Sequence, residues 1–352
     1  MRLNRKLEHI QFSLQQKSRG GATGFDDITL LHNSLPQLDW GDIDTSCYFL
    51  GKKLHVPLLI NAMTGGHREL ESINGNLAKA AAAAGVALAV GSQRAALEDN
   101  STRYSFSVVR EVNPQGVVLA NLGADCSLLE ARTAIKMINA DGIQLHLNAP
   151  QELAMAEGDR KFKGILENIQ SLSRDLDVPV IVKEVGFGMS RESIQRIGAA
   201  SVPYIDVGGA GGTDFVAIEE ARAGRKTWLK WGIPTAVSLL EGLSMNRAKT
   251  QLIASGGIRN ALDIVKSLSL GCSLVGMARP LLRVLVEGSS EELNSYLSNI
   301  IEDIHRIMLM LGARTLEDLQ RVPLIISGNT YHWLCCRGID VAPYARRAGT
   351  SY

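Results

Sequence analysis

Ser255-Gly256-Gly257-Ile258-Arg259 closes a short apolar run, Leu252–Ala254, and Gly276-Met277-Ala278-Arg279 closes the next one. Glycine directly after a buried strand lets backbone N–H groups approach a bound anion closely. One such turn carries little weight. The chain repeats the arrangement at Ala62-Met63-Thr64-Gly65-Gly66 and at Gly208-Gly209-Ala210-Gly211-Gly212-Thr213. Several such turns suggest strands of one sheet converging on a shared phosphorylated ligand. The two last turns fall where a (β/α)8 barrel keeps its phosphate site.

Working outward, eight apolar runs of strand length can be counted: Leu58–Met63, Ala87–Val90, Val117–Ala120, Gly142–Leu147, Val180–Lys183, Tyr204–Val207, Leu252–Ala254 and Ser273–Gly276. Helical periodicity fills most of the gaps, at Leu70–Ala84, Leu128–Ala140, Phe162–Leu176, Ser190–Ala199 and Asn260–Leu268. The repeat of about 30 residues is the size of a βα unit. Continuous apolar strands alternating with helices predict an α/β fold, a closed (β/α)8 TIM barrel over residues 57–288. A doubly wound open sheet is the alternative, and it would carry one glycine-rich turn early in the chain. Residues 1–56 read as an N-terminal extension. Residues 289–352 read as a C-terminal helical pair at 289–321, with Leu297, Ile300, Ile301, Ile304 and Ile307 at helical spacing, followed by a tail. The whole is expected to be a single domain.

Composition narrows the classes. Lys+Arg 37 against Asp+Glu 36 gives a net charge of +1, which argues against bulk nucleic-acid or membrane binding. Aromatics are only 5%, too few for stacking platforms on single-stranded nucleic acid. The five cysteines contain no CxxC pair, which fits a reduced compartment. No apolar signal segment follows Met1, and the longest apolar run, Ala80–Val90, is too short to span a bilayer. A cytoplasmic location is the expectation.

In a barrel the chemistry sits at the C-terminal strand ends. There the chain carries Ser92 and Arg94, Asn121, His146 and Asn148, Gln151 and Glu152, Lys183, Thr213, Arg259 and Arg279. A structural barrel has no need of polar and cationic groups on nearly every strand end at one rim. His146 and Asn148 share a parity on the fourth strand and can face one side. An isolated histidine there is commonly a satisfied core residue; the polar neighbours favour a functional role. Lys183 ends a Val-Ile-Val run, where it either reaches an anion or pairs with a carboxylate such as Glu184. Glu152 is an oxygen ligand suited to a hard divalent ion shared with a diphosphate, or else a solvated loop carboxylate. Gly257, Arg259, Ala278 and Arg279 fit a phosphate cradle. No Walker A, HExxH or GxSxG motif is present.

Taken together, Arg5-Lys6-Leu7-Glu8-His9, Ala62-Met63-Thr64-Gly65-Gly66, Gly91-Ser92-Gln93-Arg94, His146-Leu147-Asn148 with Gln151-Glu152, and Ala254–Arg259 resemble the type 2 isopentenyl-diphosphate isomerases. The resemblance covers nearly the whole chain, and its N-terminal RKxEH, MTGG and HLNxxQE elements are specific. It implies an FMN-bearing barrel that interconverts isopentenyl and dimethylallyl diphosphate with reduced flavin, NADPH as reductant and Mg2+. It implies FMN contacts at Ala62, Met63, Thr64, Ser92, Asn121, Lys183, Thr213, Gly257, Arg259, Ala278 and Arg279. It implies diphosphate contacts at Arg5, Lys6, His9, Arg94, His146, Asn148 and Gln151, with Gln151, His146 and Asn148 nearest the chemistry and Glu152 on the metal. A homo-oligomer, tetramer or octamer, is expected by the same analogy, with no nucleic-acid or membrane partner. One departure stands out: after the threonine the family pattern carries Ser or Asn and then Trp, where this chain has Asp214-Phe215.

Two further enzyme readings fare worse. A flavin-dependent 2-hydroxy acid oxidase would need a histidine followed by Gly-Gly-Arg after a late strand, and an inosinate-dehydrogenase-like enzyme a cysteine in the strand-six loop. The Gly208–Thr213 loop holds neither. A phosphate-binding barrel without catalysis is the remaining alternative.

Overall fold

Eight strands close into a parallel barrel in the computed structural model, which describes residues 11–14, 23–225, 231–245 and 250–349. We number them β1 (Leu58–Ile60), β2 (Ala87–Ala89), β3 (Val118–Gly123), β4 (Gly142–Leu147), β5 (Val180–Glu184), β6 (Tyr204–Asp206), β7 (Gln251–Ser255) and β8 (Leu274–Met277). Every neighbour in this order pairs in parallel, and β8 pairs back onto β1 through Val275–Leu58 to Met277–Ile60. Each lies within a residue of the expected run, save that β1 stops three residues short, at Ile60, and β3 continues three residues further, to Gly123. The extension follows from its register: Asn121, Leu122 and Gly123 pair with Gln144, Leu145 and His146 of β4. The open-sheet alternative is thereby excluded.

Both faces of each strand are buried, for different reasons. Outward residues such as Leu58, Ile60, Val118, Ala120, Val182 and Val275 pack under the surrounding helices. Inward residues Leu59, Ala87, Leu119, Ile181, Ile253 and Leu274 fill the lower half of the barrel. A hairpin, Cys47–Phe49 with Lys52–Leu54, closes the bottom. It inserts Phe49 and Leu54 into that inner cluster, with the Phe49 ring edge-on to Tyr204 at 5.0 Å. The lower barrel is thus solid, so only the upper end can hold a ligand.

The helices start and stop at local signals. Ser127 and Glu130 form a reciprocal cap that opens Leu128–Ile138, and Asn139 ends it in the left-handed conformation at φ 45°. Ser190 and Asn260 cap Arg191–Ala199 and Ala261–Leu270 from one side only, by accepting from the Ser193 and Asp263 amides. The expected helical pair at 289–321 is instead one 22-residue helix, Ser290–Leu311, stopped by left-handed Gly312, and a single turn, Leu316–Leu319. Leu297, Ile300 and Ile304 are buried on one face of the long helix, against the barrel helices. Segments before and after the barrel meet: Ile28–Leu30 pairs antiparallel with Leu324–Ile326. Among the described residues no helix is long and apolar enough to cross a membrane.

Candidate active site

With the bottom plugged, the strand ends open into one cavity of about 1570 Å³. A drug-sized ligand needs roughly 300–1,000 Å³, so this cavity has room for a nucleotide and a second small molecule together. Fifteen of the sequence-predicted residues line it: Ala62, Met63, Ser92, Arg94, Asn121, His146, Asn148, Gln151, Glu152, Lys183, Thr213, Gly257, Arg259, Ala278 and Arg279. Thr64 does not. Its hydroxyl is turned to Asn74 on the helix Leu70–Ala84, and its carbonyl accepts from the Gly91 amide at 2.8 Å. Arg5, Lys6 and His9 lie outside the described residues. The following segment reaches the mouth, since Ser13 lines the cavity and the Leu14 carbonyl accepts from Arg283 at 2.7 Å.

The β6 and β7 loops are pressed together backbone on backbone. Gly256 sits at φ 105°, and a Cβ there would stand 2.6 Å from the Gly209 nitrogen. Gly257 sits at φ 76°, and its Cβ would stand 2.5 Å from the Gly211 carbonyl. Only glycine combines this conformation with this approach. The clasp is sealed by the Gly209 amide donating to the Ser255 carbonyl at 2.8 Å and by Thr235 Oγ1 donating to the Gly256 carbonyl at 2.5 Å. Arg259 donates from Nη2 to the Gly211 carbonyl at 3.0 Å, so its guanidinium is positioned by the same clasp. Burial, then the charges of Arg259 and Arg283, hold the Arg279 guanidinium below its usual basicity. Positive charge is concentrated at β7 and β8, and an anion there would relieve it.

In an eight-strand ring β4 stands opposite β8. The β4 loop therefore faces the cationic rim across the mouth. His146 Nδ1 lies 2.9 Å from Asn121 Oδ1. Asn148 Nδ2 donates to Glu152 Oε1 at 2.8 Å, and the Asp159 amide donates to Glu152 Oε2 at 2.9 Å. Gln151 Nε2 donates to Glu219 Oε1 at 3.0 Å, while Arg222 donates to the other oxygen of Glu219 at 2.5 Å. Glu219 is buried, so this ion pair fixes it as an acceptor and thereby orients the Gln151 amide. Arg94 is held between Asp125 at 2.9 Å and Glu130 at 2.6 Å. Burial works to raise the Glu130 carboxyl, but bonds from Ser127 and the Arg94 charge win and hold it below the usual range.

Lys183 is buried at the mouth, and its Nζ donates to the Glu184 carbonyl at 3.0 Å. Of the two readings, the side-chain pair with Glu184 does not form. The Glu184 carboxylate turns instead to the amides of Gly186 at 2.7 Å, Phe187 at 2.5 Å and Gly188 at 3.2 Å, and folds the loop after β5 around itself. Burial pushes this carboxyl up to about 7. The Asp214-Phe215 departure also has a physical reading. Asp214 accepts from the Ala217 amide at 2.9 Å and caps the helix Phe215–Arg222, a task that Ser or Asn performs equally well. Phe215 lines the cavity. Sequence reasoning missed Asn61, Gln144, Asp206 and Glu219. Strand parity with His146 was the available signal for Gln144, and adjacency to Ala62 for Asn61.

A closed barrel with a glycine clasp and converging arginines at the seventh and eighth strands has the layout of a phosphate-binding barrel, and residues 128–325 match the FMN-dependent dehydrogenase family. Solved structures share the fold at low identity. A mandelate oxidase mutant with an FMN adduct superposes with a TM-score of 0.69 at 17% identity, covering 93% of this chain and 99% of that one. A putative lactate oxidase of Pediococcus acidilactici gives 0.68 at 17%, covering 90% and 87%. Much nearer in sequence are an isopentenyl-diphosphate delta-isomerase of Geobacillus sp. (strain WCH70), 47% identical over 98% of this chain and 99% of its own, and that of Moorella thermoacetica, 48% identical over 94% and 95%. That of Symbiobacterium thermophilum is 41% identical over 99% of both. The chain belongs to the isopentenyl-diphosphate delta-isomerase family, in its FMN-dependent branch.

Proposed function

We propose that this enzyme interconverts isopentenyl diphosphate and dimethylallyl diphosphate, with reduced FMN as its working cofactor. The observation that carries the reading is full-length identity to the isomerases combined with one cavity that presents a cationic rim at β7–β8 opposite a polar wall at β4.

The residues fit FMN. Gly257, Arg259, Ala278 and Arg279 would hold its phosphate, the glycine clasp leaving no Cβ in the way. Ala62, Met63, Ser92, Asn121, Lys183 and Thr213 would flank the rest. When bound and reduced, FMN supplies an electron-rich ring that stabilises positive charge on the alkene and nitrogens that exchange protons with it. The protein's part is positioning. His146, Asn148, Arg94 and the arm residues Arg5, Lys6 and His9 would grip the diphosphate, which is remote from the reacting carbons. Binding energy spent there holds the hydrocarbon in place. Gln151, held by Glu219, orients the substrate; an amide does not titrate usefully and is no base.

Among the described residues no group of three or more His, Cys, Asp or Glu side chains has metal-binding spacing. Mg2+ commonly takes one or two carboxylates plus substrate phosphate oxygens, and Glu152 beside the diphosphate site fits that mode. Reduction by NADPH, Mg2+ on Glu152, a cytoplasmic location and a homo-oligomer of four or eight subunits are the finer parts of the same proposal, supported by family membership. The 2-hydroxy acid oxidase reading has the shared fold and the FMN-dependent dehydrogenase match in its favour, but the Gly208–Thr213 loop lacks the histidine it needs. An anaerobic assay with isopentenyl diphosphate, omitting FMN, NADPH or Mg2+ in turn, tests the proposal. It predicts dimethylallyl diphosphate without net NADPH use. A protein that stays colourless after FMN addition and gives no product in the complete mixture refutes it, and favours the non-catalytic alternative.

A further inference from the structure

Beneath the cavity a line of buried polar side chains crosses the barrel. Ser255 Oγ and the Gly208 amide donate to Asp206 Oδ1, the latter at 3.2 Å. Asn61 Nδ2 donates to Asp206 Oδ2 at 2.7 Å. Gln144 Nε2 donates to Asn61 Oδ1 at 2.9 Å, and Asn121 Nδ2 donates to Gln144 Oε1 at 3.0 Å. The line ends where His146 Nδ1 meets Asn121 Oδ1 at 2.9 Å. All four residues from Asp206 to Asn121 are buried, Asp206 and Gln144 completely.

The sense of this line is dictated at one end. Asp206 Oδ2 offers Asn61 an acceptor, and the Ala62 amide donates to Asn61 Oδ1 at 2.9 Å. A turned Asn61 amide would set its oxygen against the carboxylate and its NH2 against the Ala62 N–H. Each amide has one accepting and one donating end, so the sense propagates. Gln144 must donate to Asn61 and accept from Asn121. The Asn121 oxygen then faces His146, and only a protonated Nδ1 satisfies it. The bond made by one ring nitrogen settles which tautomer the ring adopts.

We propose that Asp206 and the Ala62 amide, acting through Asn61, Gln144 and Asn121, lock His146 in its Nδ1–H tautomer, so that the ring meets the substrate diphosphate through Nε2. The phosphate half of this statement rests on the assignment of His146 as a diphosphate ligand under the proposed function; the tautomer half does not. In the locked ring Nε2 carries the lone pair. Its bond to a phosphate oxygen therefore forms once Nε2 has taken a proton, from solvent or from a protonated diphosphate oxygen, and the resulting imidazolium makes that bond charge-assisted. Asp206, Asn61 and Gln144 are positioning residues, and Gln144 is the one to test because it is wholly buried within the barrel.

Ring 15N spectra of the histidine-labelled flavoprotein, recorded above the pH at which the ring titrates, read the tautomer directly. The His146 signals are those lost in His146→Gln. The wild type is expected to carry its proton on Nδ1. Gln144→Leu cuts the line and frees Asn121 to turn, so both tautomers should appear. Gln144→Glu should restore the lock, because a buried carboxylic acid donates its O–H to Asn61 and accepts from Asn121. KM for isopentenyl diphosphate is expected to rise roughly tenfold in Gln144→Leu, the size of one charge-assisted bond, with kcat changed less than about threefold, and to return in Gln144→Glu. A wild-type proton on Nε2 overturns the proposal, as does a lock that survives Gln144→Leu. An unchanged KM in an unlocked variant overturns the link to phosphate. The wild-type spectrum decides even if Gln144→Leu fails to fold. Absence of isomerase activity in the wild type sinks the proposed function and leaves the tautomer result standing.

Discussion

Substituting Gly257 by alanine should remove FMN while leaving the barrel folded. The new Cβ would stand 2.5 Å from the Gly211 carbonyl and 2.6 Å from Thr23 Cγ2. An ordinary contact is about 3.5 Å, so the β6 and β7 loops must part by roughly 1 Å. The φ of 76° adds strain of about 1–2 kcal/mol for any residue with a Cβ. Movement of Gly211 also takes away the carbonyl that positions Arg259 at 3.0 Å, and a bond stretched by 1 Å is lost. If two charge-assisted bonds to the FMN phosphate go, at about 1.5–3 kcal/mol each, affinity falls by roughly 10²–10⁴. Fluorescence titration of FMN with apoprotein measures this. Gly51→Ala is the control, because Gly51 has a φ of 79°, no atom within 4 Å of its Cβ position, and a place in the bottom hairpin. It should cost stability of the order of 1 kcal/mol and leave FMN affinity alone. A Gly257→Ala protein that binds FMN within threefold of the wild type would refute the clasp as the phosphate site.

The thiols should divide sharply. Burial pushes Cys126 and Cys272 up to about 12, so a thiol reagent should modify exposed Cys335 and Cys336 at once and reach those two only after unfolding. The Glu184 carboxyl, raised to about 7 by burial, holds a proton in the folded chain between its ordinary value near 4.5 and 7, where the unfolded chain has released it. Its contribution to stability is therefore present at low pH and lost as pH rises through 7; Glu184→Gln should flatten the fall in Tm between pH 5 and 8, and identical slopes would contradict the assignment. Asp214→Ala should cost about 1 kcal/mol in urea unfolding through loss of the cap, whereas Asp214→Ser should be nearly neutral.

The barrel was legible because eight apolar runs recur at βα spacing and each ends in glycine or a polar group. The polar layer was not. Asn61, Gln144 and Asp206 occupy inward positions of strands buried on both faces, and in sequence such residues look like the solvent side of a half-exposed strand. The Cys47–Leu54 hairpin escaped notice because its strands are three residues each and turn on Leu50-Gly51, with φ 51° and 79°. Glu219 was hidden for another reason: it reaches Gln151 from a different βα loop, a contact set by barrel closure and invisible to local spacing. The rim positions, by contrast, followed from motif and strand end together, and among the described ones only Thr64 turns its side chain away from the cavity.

The central claim is that an electron-rich flavin at this mouth shelters positive charge on the alkene while the protein only positions. The most direct measurement is anaerobic turnover of isopentenyl diphosphate against the fraction of bound flavin reduced, set by stepwise dithionite addition. The account predicts a rate proportional to reduced flavin, zero with the flavin fully oxidised, and no reductant consumed per product formed. Turnover that is equal with oxidised flavin, or that consumes one reductant per product, would contradict it.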